Sequence, residues 1–170
     1  MKKILLLAFL LNAVALSAQK EAMPTDVFMV TGLVSESANV YFNDLQKFTL
    51  YKIGNVKITS HNGEPRGELR KLKGVLLKDV LNKVGIQAEN PRILSEYYVI
   101  CTAADGYKNV YSWNELFNTN VGNSTYIVTE MDGKSMADAD RRIMLLSPKD
   151  FRTGRRNLKW LTNIEVQRIE

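Results

Sequence analysis

Tyr97-Tyr98-Val99-Ile100-Cys101-Thr102-Ala103-Ala104-Asp105-Gly106-Tyr107-Lys108-Asn109-Val110-Tyr111-Ser112-Trp113-Asn114-Glu115 is the stretch on which the fold turns. Tyr97 to Thr102 is a continuous run of apolar, aromatic and β-branched residues, which predicts a central strand. Asp105-Gly106 tolerates the backbone angles of a tight reversal, so Tyr107 to Tyr111 returns as a second strand. Ser112 and Glu115 have capping-box spacing and open a short helix to about Phe117. A long strand followed by a helix of barely one turn points to a sheet-dominated fold.

The flanking sequence continues that pattern. Val75 to Val84 predicts the clearest helix, with Leu76, Leu77, Val80, Leu81 and Val84 on one stripe, polar residues opposite, and Gly85 as its stop. Val27 to Val34 predicts an opening strand, and Asn43 with Gln46 has the form of a second capping box before a short helix near Asp44 to Phe48. Thr49 to Ser60 alternates as one or two strands, while His61 to Gly74, with three glycines and a proline, reads as a loop or hairpin tip. Strands over Thr125 to Met131, Arg142 to Ser147 and Leu158 to Ile169 complete an α+β class with a mainly β core and short helices. That core is expected to hold Val30, Leu77, Val80, Leu81, Val99, Ile100, Ile127, Met144, Leu145, Leu161 and Ile164.

Length and composition narrow the function classes. The chain has 170 residues, 45% apolar and 24% charged, so it is neither disordered nor fibrous. Met1-Lys2-Lys3, the apolar run Ile4 to Leu11 and the small residues Ala13, Ala15, Ser17 and Ala18 have the form of an export signal. Residues 1–18 are therefore expected to leave, with 19–170 as one periplasmic or secreted domain. The apolar run is too short for a stable membrane span, which needs about 20 residues. One His and one Cys exclude a Cys/His zinc cluster and an internal disulfide framework. Formal charge is +5, or +3 without Lys2 and Lys3, too small a balance to indicate nucleic acid.

The order of the pieces carries a resemblance. Gly32 ends the first strand. Lys73-Gly74-Val75-Leu76-Leu77-Lys78-Asp79-Val80-Leu81 and Gly85-Ile86 follow, then Ala104-Asp105-Gly106-Tyr107 and Asp132-Gly133-Lys134. Arg142-Ile143-Met144-Leu145-Leu146-Ser147-Pro148 and Leu158-Lys159-Trp160-Leu161 close the series. From about Val27 to Glu170 the chain resembles the molybdopterin-binding domain of the sulfite oxidase type, in a small secreted form. The resemblance implies a molybdopterin-like pterin cofactor. Catalytic members hold molybdenum through a cysteine thiolate in the loop that here reads Ser60-His61-Asn62, and a Ser hydroxyl is neither soft nor anionic at neutral pH. The resemblance thus implies a non-catalytic pterin-binding protein without molybdenum ligation. Two alternatives share the scaffold: a molybdopterin-dependent oxidoreductase that leaves the metal to the cofactor's own dithiolene, and a ligand-free module that binds a protein partner.

Candidate ligand residues come from two places. Ser60, His61 and Asn62 occupy the loop of the absent cysteine. Between Arg141 and Trp160 stand seven basic residues and one acidic, Asp150. Within that segment the resemblance assigns Lys159 to cofactor binding, with Arg152, Arg155 and Arg156 as further anion contacts, since Arg forks match phosphate oxygens. The competing reading is a solvated basic loop whose arginines pair with carboxylates. Cys101 reads as a small buried hydrophobe rather than a reactive thiol, and Trp113 and Trp160 as core. No residue is assigned a catalytic or metal-ligating role.

Overall fold

The first strand and the last lie side by side within one of the two sheets. The structure is a computed structural model that describes Glu21 and residues 23–170; the expected signal, residues 1–18, lies outside the described residues. In chain order the strands are β1 (Val27–Gly32), β2 (Ala38–Tyr41), β3 (Tyr51–Thr59), β4 (Pro65–Leu76), β5 (Tyr97–Ala103), β6 (Lys108–Ser112), β7 (Tyr126–Met131), β8 (Lys134–Ser135), β9 (Met144–Leu146) and β10 (Leu161–Arg168). The α-helices are α1 (Leu77–Val84) and α2 (Trp113–Phe117), joined by short 3₁₀ turns. One sheet has the order β2-β1-β10-β5-β6 and the other β3-β4-β7-β8, with β9 also paired to β7. Among the described residues only β1 and β10 pair in parallel, Val30 opposite Ile164; every other pairing there is antiparallel.

Packing follows from the side-chain alternation of strands and the stripe of α1. Phe28 and Val30 of β1, Val99 and Cys101 of β5, and Ile164 and Val166 of β10 point inward with no exposed surface. Leu77, Val80 and Leu81 of α1 meet them, each burial stabilising by roughly 1.5–3 kcal/mol relative to exposure. Gly85 ends α1 at φ +84 with its N–H donating to the Leu81 carbonyl, the left-handed stop that glycine adopts without Cβ strain. The Ser112–Glu115 capping box forms as expected: Ser112 Oγ accepts from Glu115 N at 3.0 Å, and Glu115 Oε2 accepts from Ser112 N at 3.0 Å.

Several expectations need correction. The helix begins at Leu77 rather than Val75, because Val75 and Leu76 extend β4 and pair with Ile127 and Tyr126. His61 to Gly74 is not a loop: only residues 60–64 turn, and β4 starts at Pro65. Most of that strand is solvated, and its buried leucines, Leu69 and Leu72, are three residues apart across a register shift, so no period of two is left to read. The Asn43–Gln46 box does not form. A 3₁₀ turn starts earlier, at Phe42, and buries Phe42 and Leu45, three residues apart. Ile100 is half-buried on the outer face of its sheet, since β5 alternates where its composition read as continuous. The other expected core residues are buried.

Candidate functional site

The hairpin β3–β4 and the segment leading into β10 meet at the end of β3. Ser60 closes its own turn. Its Oγ accepts from Asn62 N at 3.2 Å and Glu64 N at 3.1 Å, and its N–H donates to the Glu64 carbonyl at 2.8 Å. His61 and Asn62 are exposed at the tip. The 3₁₀ turn Thr153–Arg156 docks onto this end of β3. Thr153 Oγ1 donates to the Lys57 carbonyl at 2.8 Å and accepts from Thr59 N at 3.1 Å. A Cβ on Gly154 would sit 2.0 Å from the Thr59 carbonyl oxygen, so the approach requires glycine. Arg152 Nη1 then reaches the His61 carbonyl at 2.7 Å.

The structure therefore brings Arg152 to the Ser60–Asn62 turn and turns Arg156 away from it. Arg155 is exposed, and its carbonyl accepts the Tyr107 hydroxyl at 2.5 Å. Arg156 turns inward. It grips Asp150 with two bonds of 2.6 Å, donates to Glu115 Oε1 at 3.1 Å, and lies over the Tyr111 ring at 4.6 Å. These carboxylates raise its pKa further above the ordinary guanidinium value, with the Asp150 hydrogen bonds as the main cause. Among the three arginines, Arg156 matches the competing reading, in which the basic segment pairs with carboxylates.

Lys159 faces a different cleft, of about 460 Å³, in which it is joined by Ile58, Arg66, Glu68, Asp132, Arg141 and Asn157. It is fixed there from both sides. Leu158 exchanges backbone bonds with Leu145 at 2.8 and 2.9 Å, and the Trp160 indole donates to the Asp140 carbonyl at 2.5 Å. Burial, and secondly the Arg141 charge, hold Lys159 below the ordinary lysine pKa, while Asp105 acts in the opposite direction. Arg66, Arg141 and Lys159 form no ion pair with any described residue. Glu68 is held by Arg70 at 2.8 Å. Asn157 Oδ1 is buried there with no hydrogen-bond donor among the described residues. Of the seven expected residues, Lys159 alone lines this cleft; Arg66, Arg141 and Asn157 were not anticipated. Arg141 could have been found from its place in the basic segment, whereas Arg66 lay in sequence misread as loop.

The donor set does not fit molybdenum held by protein thiolate. Cys101, the sole cysteine, is wholly buried on β5 and unpaired, and burial pushes its thiol up to about 12. Among the described residues no group of three His, Cys, Asp or Glu side chains is placed to hold a metal ion.

No family model and no curated protein matches the chain. Among solved structures, it is similar to the sulfane dehydrogenase SoxCD of Paracoccus pantotrophus, with TM-score 0.65 and 14% identity. The match covers 85% of this chain and 40% of that one, so this chain spans less than half the length of its structural neighbour. At that identity the likeness speaks to fold alone: α+β, with a mainly β core and short helices, shared with part of that structure.

Proposed function

We propose that this chain is a periplasmic or secreted, non-catalytic binding protein for an anionic, phosphorylated pterin, held in the cleft of Arg66, Arg141 and Lys159. The observation that carries the reading is that these three cations face one cleft without ion-pair partners among the described residues, while Asn157 Oδ1 is buried there with no donor among them. A phosphate would take the cations, since charge-assisted bonds to a guanidinium are among the stronger ones available. A pterin's amino N–H would satisfy the amide oxygen, whose desolvation otherwise costs about 1–3 kcal/mol. The reading stays non-catalytic because the residues at the Ser60–Asn62 turn offer no thiolate and Cys101 cannot reach it.

The test is a titration with a phosphorylated pterin, followed by the ligand's own fluorescence. Binding is expected to weaken as salt rises, through screening of the exposed charges. Lys159→Ala combined with Arg141→Ala should weaken it by about tenfold or more, the equivalent of losing one charge-assisted bond. No binding by the wild-type chain removes the proposal. Stoichiometric molybdenum in protein purified from its native host would instead establish the oxidoreductase alternative.

A further inference from the structure

Among the described residues the second sheet ends on β3, which pairs with β4 alone. In an antiparallel strand alternate residues aim their N–H and C=O groups away from the partner, so the outer edge of β3 is a row of donors and acceptors. Thr153 caps that row at one end by bridging the Lys57 carbonyl and Thr59 N–H through its hydroxyl. Before Lys57, no hydrogen bond among the described residues reaches the outer edge from outside the β3–β4 ladder. A groove of about 550 Å³ lies against β3, lined by Lys52, Asn55, Lys57 and Thr59 of the strand and by Lys149 and Phe151 of the loop after β9. Phe151 is fully exposed, and Thr59 Oγ1 is buried without a partner among the described residues.

Charge says what would lie there. Lys52, Lys57 and Lys149 are exposed and form no ion pair among the described residues. The acid in the groove wall, Asp150, has both carboxylate oxygens taken by Arg156. We propose that the outer edge of β3 is a docking site for an extended acidic peptide segment of a partner protein. The segment adds as a further strand: its backbone pairs with β3, its carboxylates meet Lys52, Lys57 and Lys149, and an apolar side chain covers Phe151. Edge lysines and bulges also serve to repel a second strand. An acidic strand separates the two roles, because the charges that repel a neutral or basic edge attract it. The site shares no residue with the Lys159 cleft and stands independently of the pterin reading.

The probe is a fluorescein-labelled ten-residue peptide alternating Glu and Val, titrated against the full chain and read by anisotropy. A second peptide replaces its central residues with proline, which removes the N–H groups needed for strand addition. The first peptide is expected to bind, more weakly as salt rises, and to slow hydrogen exchange at β3 amides between Ile53 and Lys57. The proline peptide should bind about tenfold more weakly, and so should the first peptide to Lys52→Glu with Lys57→Glu, given several lost backbone bonds in one case and reversed rim charges in the other. Lys149→Glu, in the loop across the groove, repeats the charge test without altering the strand. Equal binding of both peptides, unchanged affinity in the folded charge-reversed variants, or absence of β3 protection overturns the proposal. Tighter binding of an oligothymidylate than of the peptide also overturns it, in favour of single-stranded nucleic acid.

Discussion

Replacing Arg156 with alanine should damage the fold and leave anion binding alone. The side chain is 20% exposed and grips Asp150, itself 17% exposed, through two bonds of 2.6 Å. A third bond runs to Glu115, whose other oxygen caps α2, so one guanidinium ties the 150s loop to the start of that helix. Removing one member of a buried pair costs about 3–5 kcal/mol, mostly because the other charge is stranded. Here water can reach Asp150 and Glu115 in part, which lowers the figure, while loss of the Tyr111 contact adds about 0.5–1 kcal/mol. The expected loss is about 3 kcal/mol. With a urea m-value of about 1.5–2 kcal/mol/M for a chain of this size, the midpoint falls by about 1.5–2 M, measured by tryptophan fluorescence. Arg156→Lys keeps the charge without the planar fork and should recover less than half of the loss. A loss below about 1 kcal/mol, or stability kept while affinity for phosphorylated pterin collapses, would show that Arg156 serves the ligand and not the scaffold.

Gly154→Ala should cost about 2 kcal/mol, an overpacking penalty, because its Cβ meets the Thr59 carbonyl at 2.0 Å; thermal unfolding checks it, and an unchanged midpoint refutes the docking of this turn on β3. Ser112→Ala removes the oxygen that accepts from Glu115 N and should destabilise by about 1 kcal/mol in urea; a neutral result would mean that the box contributes nothing to α2. Alkaline pH should weaken the fold through Cys101. Its folded pKa of about 12 exceeds the ordinary 9.0, so the stability held by the neutral thiol is complete below pH 9 and is lost as pH rises toward 12. Cys101→Ala should flatten that decline, and a native thiol that titrates near 9 with a colorimetric reagent would contradict it.

Elements whose signal was local were legible in the sequence. The Asp105-Gly106 reversal, the Ser112–Glu115 box and the stop at Gly85 each need only neighbours within four residues, and each formed. β4 was not legible because most of it faces water, and solvated strand positions carry no hydrophobic period. At the candidate site the basic segment was visible as a charge cluster, but its partition was not. Whether an arginine meets a ligand or a carboxylate depends on Asp150, Glu115 and Tyr111, which the chain supplies from different places. The pairing of Arg141 with Arg66 across one cleft is likewise tertiary and leaves no spacing to read.

The parallel pairing of β1 with β10 has a kinetic consequence. β10 sits inside its sheet, with β1 on one side and β5 on the other, so Met29 finds Asn163 only when almost the whole chain exists. Contacts between residues this far apart close slowly, since the loop entropy must be spent before the sheet repays it. A nascent chain would hold β1 and β2 without their inner neighbour until β10 has emerged. A ribosome-bound fragment lacking residues 161–170 should remain protease-sensitive, and lengthening it through β10 should bring protection.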